Sequence, residues 1–382
     1  MDNFVYYNPT ILCYGKGACE EIAKRHLIPE GARVMMTYGG GSIKKNGVYE
    51  EVHKYVTPVC EFGGIEPNPH HETCMKAVAM AKENKIDFLL AVGGGSVVDA
   101  TKYIALAMEH TSTPDPFDIL ANPMTTVVAP AKAKIGVVLT IPATGSEMNI
   151  GFVITKMATQ AKKGCLNPSV APYFSVVDPC HTFSLPVNQV RNGLCDAFVH
   201  VVEQYQGHFD KGYVQDEECE GVMRTLIRVG RQTMDEPTNY AVRMNFCYAA
   251  TVALNNTLNV GLAQCWAAHY IGHELTTYYG VAHGESLVLT LPAVMRFYKE
   301  KNGAKYKQMA ERVFGVANGT ADDAIAGVVG WFKSIDCKLK LREYGATKEH
   351  FATIAAKFKE NKLGSWKDID DVAVMSILED LY

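Results

Sequence analysis

The chain has 382 residues, of which 48% are hydrophobic and 20% are charged, so it holds enough apolar material for a large core and is not intrinsically disordered. Its 37 basic and 41 acidic residues give a formal net charge of −4, with no basic stripe of the kind that binds nucleic-acid phosphates. The longest apolar runs, 88–92 and 136–140, are far shorter than the ~20 residues that cross a membrane.

The N-terminal residues and the cysteines both bear on the cellular compartment. The start, Met-Asp-Asn-Phe, has neither the basic region nor the apolar core of a signal peptide. The eleven cysteines are an odd number without a C-x-x-C pair, which is typical of reduced structural thiols. We therefore expect a soluble cytoplasmic protein that has no nucleic-acid partner and no contact with a membrane.

The first part of the chain alternates short apolar runs with helical patterns. Strands are predicted at 33–38, 87–92, 136–141 and 173–177. Helices are predicted at 44–56, from about 70 to 84, and at 96–108, while the Pro-rich stretch 113–126 is predicted to be a loop. Buried strands that alternate with helices indicate a parallel sheet covered on both faces. We predict an α/β domain over residues 1–180.

The character of the sequence changes after Asp178-Pro179. Helical patterns cover 186–206, 216–234, 238–258, 261–277 and most of the remainder, with few β-branched runs. We predict an all-helical domain over residues 181–382.

Two glycine clusters directly follow predicted strands. In Gly93-Gly94-Gly95-Ser96-Val97-Val98-Asp99, the glycines permit close approach of a ligand and the start of the helix favours an anion. Ser96 is the expected N-cap of this helix, with Asp99 at its third position. The other interpretation is an ordinary strand-to-helix turn. The cluster is not a P-loop, because Lys102 lies too far along the chain.

The second cluster, Gly39-Gly40-Gly41-Ser42, bears on the choice of dinucleotide. Many dinucleotide folds have an acidic residue at the end of this strand, where it binds the ribose 2′-hydroxyl. Gly39 stands there instead, and Ser42, Lys44 and Lys45 offer donors to a 2′-phosphate. This favours NADP over NAD, and the alternative is a plain turn with two solvated lysines. A third loop, from Thr140 through Thr144 to Glu147, also suits a nucleotide or ribose.

The helical half holds a pattern of possible metal ligands. Asp196 and His200 are four residues apart, as are His269 and His273, so each pair shares one helix face. His283 follows ten residues later. Three imidazoles and a carboxylate suit Fe²⁺ or Zn²⁺, although each histidine taken singly is also explained as an ordinary core or surface residue.

Taken together, these residues resemble the iron-containing (group III) alcohol dehydrogenase family, and most closely its NADPH-dependent butanol dehydrogenase and aldehyde reductase branch. The resemblance runs over nearly the whole chain. Its motifs are Phe62-Gly-Gly-Ile65, Pro67-Asn-Pro69, Gly93–Asp99, Pro142–Glu147, Asp196-Ala-Phe-Val-His200, His269-Tyr-Ile-Gly-His273 and Ala282-His283-Gly284. The resemblance implies a Rossmann-like dinucleotide-binding domain followed by a metal-binding, catalytic one.

The resemblance also implies roles for individual residues. The implied ligands of one divalent metal, Fe²⁺ or Zn²⁺, are Asp196, His200, His269 and His283, while His273 lies by the nicotinamide and takes part in proton transfer. The implied NADP(H) contacts are Gly39, Gly40, Ser42, Gly94, Gly95, Ser96, Asp99, Thr140, Thr144 and Lys162, for which Lys163 competes with Lys162. Asn149 and Phe152 are expected to line the substrate pocket.

The implied function is reduction of short-chain aliphatic aldehydes, or oxidation of primary alcohols, by hydride transfer from or to the coenzyme at the metal. The family further implies a homodimer, with an edge strand near Phe4–Tyr14 as its contact. Two alternatives on the same architecture are an NAD-dependent polyol dehydrogenase of the glycerol type and a lyase like dehydroquinate synthase. The second would require several Lys and Arg residues near the metal, which the segments around Asp196 and His269 do not supply. A non-catalytic nucleotide-binding protein is the remaining alternative.

Overall fold

The computed structural model describes residues 2–121, 126–207 and 212–382, which divide into two compact units. One unit, the α/β unit, contains Tyr7–Leu185 and Pro237–Cys247. The other, the helical unit, contains the residues up to Tyr6 together with Pro186–Glu236 and Tyr248–Tyr382. The predicted fold class, an α/β region followed by a helical one, is confirmed, and the domain limits 1–180 and 181–382 stay a prediction.

The described part of the α/β unit contains eight strands. They are β1 (Ile11–Tyr14), β2 (Val34–Tyr38), β3 (Cys60–Phe62), β4 (Phe88–Gly94), β5 (Lys134–Ile141), β6 (Gly151–Lys156), β7 (Ala161–Leu166) and β8 (Phe174–Val177). Six of them form a parallel sheet in the order β1-β8-β5-β4-β2-β3, and β6 pairs with β7 as an antiparallel hairpin. The four strands predicted from the sequence are the central four of this sheet.

Helices occur in both units of the described chain. In chain order they are α1 (Glu21–Lys24), α2 (Val48–His53), α3 (His71–Glu83), α4 (Gly95–Glu109), α5 (Asp118–Ala121), α6 (Val187–Tyr205), α7 (Tyr213–Asp235), α8 (Tyr240–Ala253), α9 (Ala267–Tyr279), α10 (His283–Phe297), α11 (Gly303–Arg312), α12 (Ala321–Ser334), α13 (Phe351–Ala356) and α14 (Asp371–Leu381). None of the helices in this part of the chain is long and apolar enough to cross a membrane.

The parallel sheet is buried on both faces because successive side chains of each strand point in opposite directions. One face packs against α3 and α4, and the other against α1 and α2. The first face carries Met35, Leu89, Ala91, Ile135 and Val137. The second carries Val34, Met36, Phe88, Leu90 and Val138. Because both faces are buried, the strands have continuous apolar runs rather than alternating apolar and polar residues.

Three predicted elements differ from the structure at their N-terminal ends or interiors. The helix predicted from residue 44 begins at Val48, because Gly47 takes a positive φ of 86° directly before it. The helix predicted from residue 261 begins at Ala267, after Trp266 with a φ of 59°. The predicted loop 113–126 contains the short α5, and its residues 122–125 lie outside the described ranges.

Candidate metal centre and coenzyme site

Helix α6 supplies the first two candidate ligands. Asp196 and His200 are one turn apart on it, and His200 Nε2 lies 3.6 Å from Asp196 Oδ1. Both side chains are buried. As the sequence predicts, the spacing of four residues places a carboxylate and an imidazole on one helix face, and this face is buried.

Helices α9 and α10 bring two more imidazoles to the same carboxylate oxygen. His269 Nε2 lies 3.7 Å from Asp196 Oδ1, and His283 Nε2 lies 3.5 Å from it. The rings of His200 and His269 are stacked with their centroids 4.5 Å apart. Three imidazole nitrogens thus surround one carboxylate oxygen within the helical unit.

The distances from Asp196 Oδ1 to the three imidazole nitrogens fit a divalent metal ion. The separations of 3.5–3.7 Å are too long for good hydrogen bonds. Tetrahedral ligands at about 2.1 Å from a metal are about 3.4 Å from one another. Buried Asp196 Oδ1 and His269 Nε2 have no hydrogen-bond partner among the described residues, and such orphaned polar atoms are costly unless an ion or water binds them. The donor set suits Zn²⁺ or Fe²⁺ equally.

The local electrostatics favour an ionised Asp196 and a neutral His200, which are the protonation states that bind a metal. Burial acts to raise the pKa of Asp196, but the His200, His269 and His283 rings outweigh it and hold this pKa well below its ordinary value. Burial lowers the pKa of His200 to about 4, so its ring is neutral near pH 7. For His269, burial is outweighed by its interactions with the carboxylates of Asp196 and Glu203, which raise its pKa to about 9. Metal binding at His269 therefore releases a proton.

Two glycines allow the three helices to approach closely. A Cβ at Gly284 would lie 2.5 Å from the backbone oxygen of Asn192, so the start of α10 could not pack against α6. A Cβ at Gly272 would lie 2.9 Å from Ser286 Oγ, between α9 and α10. Gly284, which follows His283, is thus required for α10 to pack against α6.

His273 is buried beside the cluster, one turn after His269 on α9. Its ring centroid lies 5.3 Å from that of His283 and 6.2 Å from that of Tyr270. The structure places it next to the candidate metal centre, and its assigned part in proton transfer stays a prediction.

Sequence reasoning missed one buried acid at this centre, Glu203. It lies on α6 three residues after His200 and seven after Asp196, which puts it on the same helix face. Its Oε2 is 2.5 Å from His269 Nδ1. The signal that could have found it is this i, i+3, i+7 spacing.

The candidate coenzyme residues of the α/β unit follow three neighbouring strands. Gly39, Gly40 and Ser42 follow β2, Ser96 follows β4, and Thr144 follows β5, while Thr140 lies inside β5 near its end. Strands β5, β4 and β2 are adjacent in the parallel sheet, so their carboxyl ends meet at one edge. Nucleotides bind at this edge in open parallel sheets.

Gly94, the last residue of β4, and Gly95, the first residue of α4, are required by packing between these segments. A Cβ at Gly95 would lie 2.5 Å from Thr144 Oγ1, and one at Gly94 would lie 2.9 Å from Ile141. The predicted N-cap at Ser96 is wrong, because α4 begins at Gly95 and its N-cap is Gly94, without a side-chain cap. The reason is that β4 continues through Gly94, so the turn into the helix is tighter than the sequence pattern indicates.

Asp99 and Asn149 are bound by other protein groups. Asp99 accepts hydrogen bonds from Ser146 Oγ at 2.7 Å and from the Val153 amide at 2.9 Å. Asn149 Oδ1 accepts from the Gly151 amide at 2.9 Å. Both side chains hold the segment that leads from β5 into β6, and their direct contacts with coenzyme and substrate stay predictions.

The remaining two assignments concern Phe152 and Lys162. The Phe152 ring is 2% exposed and lies in the core of the α/β unit, 6.2 Å between centroids from Tyr103. Lys162 Nζ donates to Asn68 Oδ1 at 2.9 Å, whereas Lys163 is exposed on the opposite face of β7. Between the two lysines, Lys162 is thus the one oriented toward the Pro-Asn-Pro loop. A substrate contact by Phe152 and a coenzyme contact by Lys162 stay predictions.

Comparison with known proteins assigns the chain to a family. The family model described as iron-containing alcohol dehydrogenase matches residues 9–179, and that for the C-terminal part of the Fe-containing alcohol dehydrogenase family matches residues 190–382. The NADP-dependent alcohol dehydrogenase 3 of Entamoeba histolytica is 59% identical over 382 residues, which cover 100% of both chains. The NADPH-dependent aldehyde reductase YqhD of Escherichia coli is 42% identical over 378 residues, 97% of each chain.

The fold agrees with these similarities. A crystal structure of YqhD from E. coli K-12 superimposes with a TM-score of 0.96 at 41% identity, covering 100% of this chain and 99% of that one. Two matched family models and relatives of this identity span the chain from one end to the other. The protein therefore belongs to the iron-containing alcohol dehydrogenase family.

Proposed function

We propose that this protein is a metal-dependent, NADP(H)-linked alcohol dehydrogenase and aldehyde reductase. Its substrates are short-chain aliphatic aldehydes and primary alcohols, interconverted by hydride transfer. The observation that carries the proposal is the convergence of three imidazole nitrogens on Asp196 Oδ1 at 3.5–3.7 Å, in a chain of this family. The polyol dehydrogenase and lyase alternatives gain no comparable support.

Four side chains of the helical unit would hold the metal, namely Asp196, His200, His269 and His283. A bound Fe²⁺ or Zn²⁺ supplies Lewis-acid polarisation of a carbonyl oxygen. Asp196 provides the one negative charge of the ligand set, and His200 provides a neutral imidazole because its pKa is about 4. Burial of Asp196, His200 and His269 keeps bulk water away from these three side chains and strengthens their electrostatic effect.

We place the coenzyme along the carboxyl ends of β2, β4 and β5, with NADP(H) preferred over NAD(H). Gly39 follows β2 at the position where an acidic residue would repel a 2′-phosphate. Ser42 and Lys45 are exposed beside it, and Lys44 Nζ lies 4.8 Å from the Tyr38 ring centroid, over its face. These groups offer positive charge and donors to the 2′-phosphate. The name of the 59% identical relative agrees with this preference.

We assign the proton that accompanies hydride transfer to the His273 imidazole. This ring is buried next to His283, so it can hold a proton close to the substrate oxygen without being a ligand itself. An imidazole is suited to this task because its ordinary pKa lies near neutral pH.

Initial rates of butanal reduction test the proposal. The protein is stripped of metal, reloaded anaerobically with Fe²⁺ or Zn²⁺, and assayed with NADPH and NADH in parallel. We expect turnover that requires metal and is faster with NADPH. Folded, reloaded protein that shows no turnover with either coenzyme would contradict the proposal.

We further propose a cytoplasmic homodimer. The eleven cysteines, all within the described residues, form no disulfide, which agrees with a reducing compartment. Strand β1 lies at the sheet edge, preceded by the exposed side chain of Tyr7, and Ile11 on β1 is 38% exposed. An open, apolar edge strand is suited to pairing with a second copy. Light scattering on wild type and Ile11→Lys checks this, since the variant should shift toward monomer.

A further inference from the structure

We infer that Glu203 is a positioning residue of the metal centre, whose carboxylate keeps the proton of His269 on Nδ1 and thereby leaves Nε2 available to the metal. This inference rests on the proposed function, because it concerns the same ligand set. It adds a fifth side chain that is not itself a ligand but decides whether a ligand is in its binding form.

The contacts of Glu203 are short and complete. Its Oε1 accepts from the Ala268 amide at 2.6 Å, and its Oε2 accepts from the His269 amide at 3.1 Å. The same Oε2 lies 2.5 Å from His269 Nδ1. Glu203 is 0% exposed, so no solvent competes for these contacts.

These contacts select one tautomer of His269. Both carboxylate oxygens already accept from backbone N–H groups, so Glu203 acts as an acceptor and Nδ1 must carry the proton that it donates. Nε2 then presents its lone pair toward Asp196 Oδ1, 3.7 Å away. A histidine ligand whose other nitrogen donates to a carboxylate is the common arrangement around protein-bound metals, because it fixes the ring and raises its basicity.

The same carboxylate also defines the start of α9. The N-cap of this helix is Trp266, which has a φ of 59° and makes no side-chain cap. This positive φ is unusual for an aromatic residue. The amides of Ala268 and His269, which the helix start leaves without intrahelical acceptors, donate hydrogen bonds to Glu203. The Trp266 ring in turn packs 5.2 Å between centroids from His269. One buried acid thus orders both the backbone and the ring of the ligand.

A purely structural role for Glu203 predicts different behaviour from a positioning role. Loss of a helix cap lowers stability but leaves the two ring nitrogens of His269 as they were. Loss of the acceptor for Nδ1 frees the ring to move its proton to Nε2, where it blocks the metal. Zn²⁺ affinity, together with the position of the remaining His269 proton in Zn²⁺-loaded protein, therefore separates the two roles.

The test uses Glu203→Met, which keeps the length of the side chain without an acceptor, and Glu203→Gln, which keeps polarity without charge. Glu220→Gln is the matched control, since Glu220 is also a buried acid of the helical unit but binds Tyr205 and Gln308 rather than a histidine. Zn²⁺ affinity is measured by competition with a chromophoric chelator. Ring nitrogens are observed by NMR with ¹⁵N-labelled histidine, with His269 assigned from a His269→Asn sample.

We expect His269 to carry its one proton on Nδ1 in Zn²⁺-loaded wild type, and Zn²⁺ affinity to fall ~10- to 100-fold in the Glu203 variants but not in Glu220→Gln. Zn²⁺ affinity within twofold of wild type in both Glu203 variants would overturn the inference and leave the metal centre standing. A His269 proton found on Nε2 in Zn²⁺-loaded wild type would also overturn it, even if neither variant folds. Wild type that binds no Zn²⁺ or Fe²⁺ would instead refute the proposed metal centre itself, and the inference with it.

Discussion

The ammonium group of Lys102 donates to the backbone oxygen of Asn149 at 2.9 Å, deep inside the α/β unit. Lys102 is 0% exposed, and its Nζ also donates to the backbone oxygens of Ser146 and Gly151 at 2.6 and 2.8 Å. Burial lowers its pKa to about 8, so it is mostly protonated at pH 7. Lys102 thus links α4 by hydrogen bonds to the segment after β5, which also contains the candidate coenzyme residue Thr144.

Replacement of this lysine should loosen that loop. Lys102→Met leaves several buried oxygens without a donor, so we expect the free energy of unfolding to fall by about 3–5 kcal/mol. The KM for NADPH should rise as well, because Thr144 and Ser146 lose their support. Urea denaturation and initial rates measure both effects. Lys76→Met, at an exposed position of α3, is the control and should stay within about 0.5 kcal/mol of wild type.

Two neighbouring histidines should separate metal binding from proton transfer. His283→Ala removes an imidazole that lies 3.5 Å from Asp196 Oδ1, so we expect substoichiometric metal and no measurable turnover. His273→Ala removes the adjacent ring without touching the proposed ligand set, so metal content should stay near one per chain while kcat falls ~10²- to 10⁴-fold. Metal analysis and steady-state kinetics on both variants check this. Equal metal loss in the two variants would mean that His273 is a ligand.

Coenzyme preference should respond to charge at residue 39. Gly39→Asp places a carboxylate where the 2′-phosphate of NADPH is proposed to bind, so the ratio of kcat/KM for NADPH to that for NADH should fall at least ~10-fold, about 1.4 kcal/mol. A Cβ at this position lies 3.3 Å from the Ile65 backbone oxygen, which is tight but tolerable. Gly39→Ala has the same Cβ without the charge and should leave the ratio unchanged. An equal change in both variants would indicate a steric cause.

The hydrogen bond between Glu51 and His181 should contribute a pH-dependent part of the stability. Glu51 Oε2 lies 2.9 Å from His181 Nε2, and this hydrogen bond lowers the pKa of Glu51. A folded pKa below the unfolded one means that ionised Glu51 stabilises the protein above pH ~4.5, and that this stabilisation is lost as the pH falls through the folded pKa.

The measurement compares thermal unfolding of wild type and Glu51→Gln between pH 3 and pH 7. We expect the variant to be less stable by roughly 1–2 kcal/mol at pH 7, and the difference to shrink toward pH 3. Glu50→Gln, at the preceding exposed position of α2, should match wild type throughout. A difference that stays constant with pH would show that the charge of Glu51 is not the cause.

Sequence by itself determined the class of the fold and the identity of most candidate ligands. Both faces of the sheet are buried, so its central strands β2, β4, β5 and β8 are continuous apolar runs. Such runs can be recognised from the sequence alone. The pairing of Asp196 with His200 can also be recognised from the sequence, because a spacing of four residues places two side chains on one face of any α-helix.

Tertiary structure alone decided which of these groups meet. The placement of His283 against Asp196 depends on the packing of α10 onto α6, which the sequence separation of 87 residues does not reveal. Glu203 shares a helix face with Asp196 and His200, but only the packing of α9 places the Nδ1 of His269 at 2.5 Å from its carboxylate. Local patterns follow from chain geometry over a few residues, whereas contacts between distant helices follow from packing of the whole unit, and that packing completes the candidate centre.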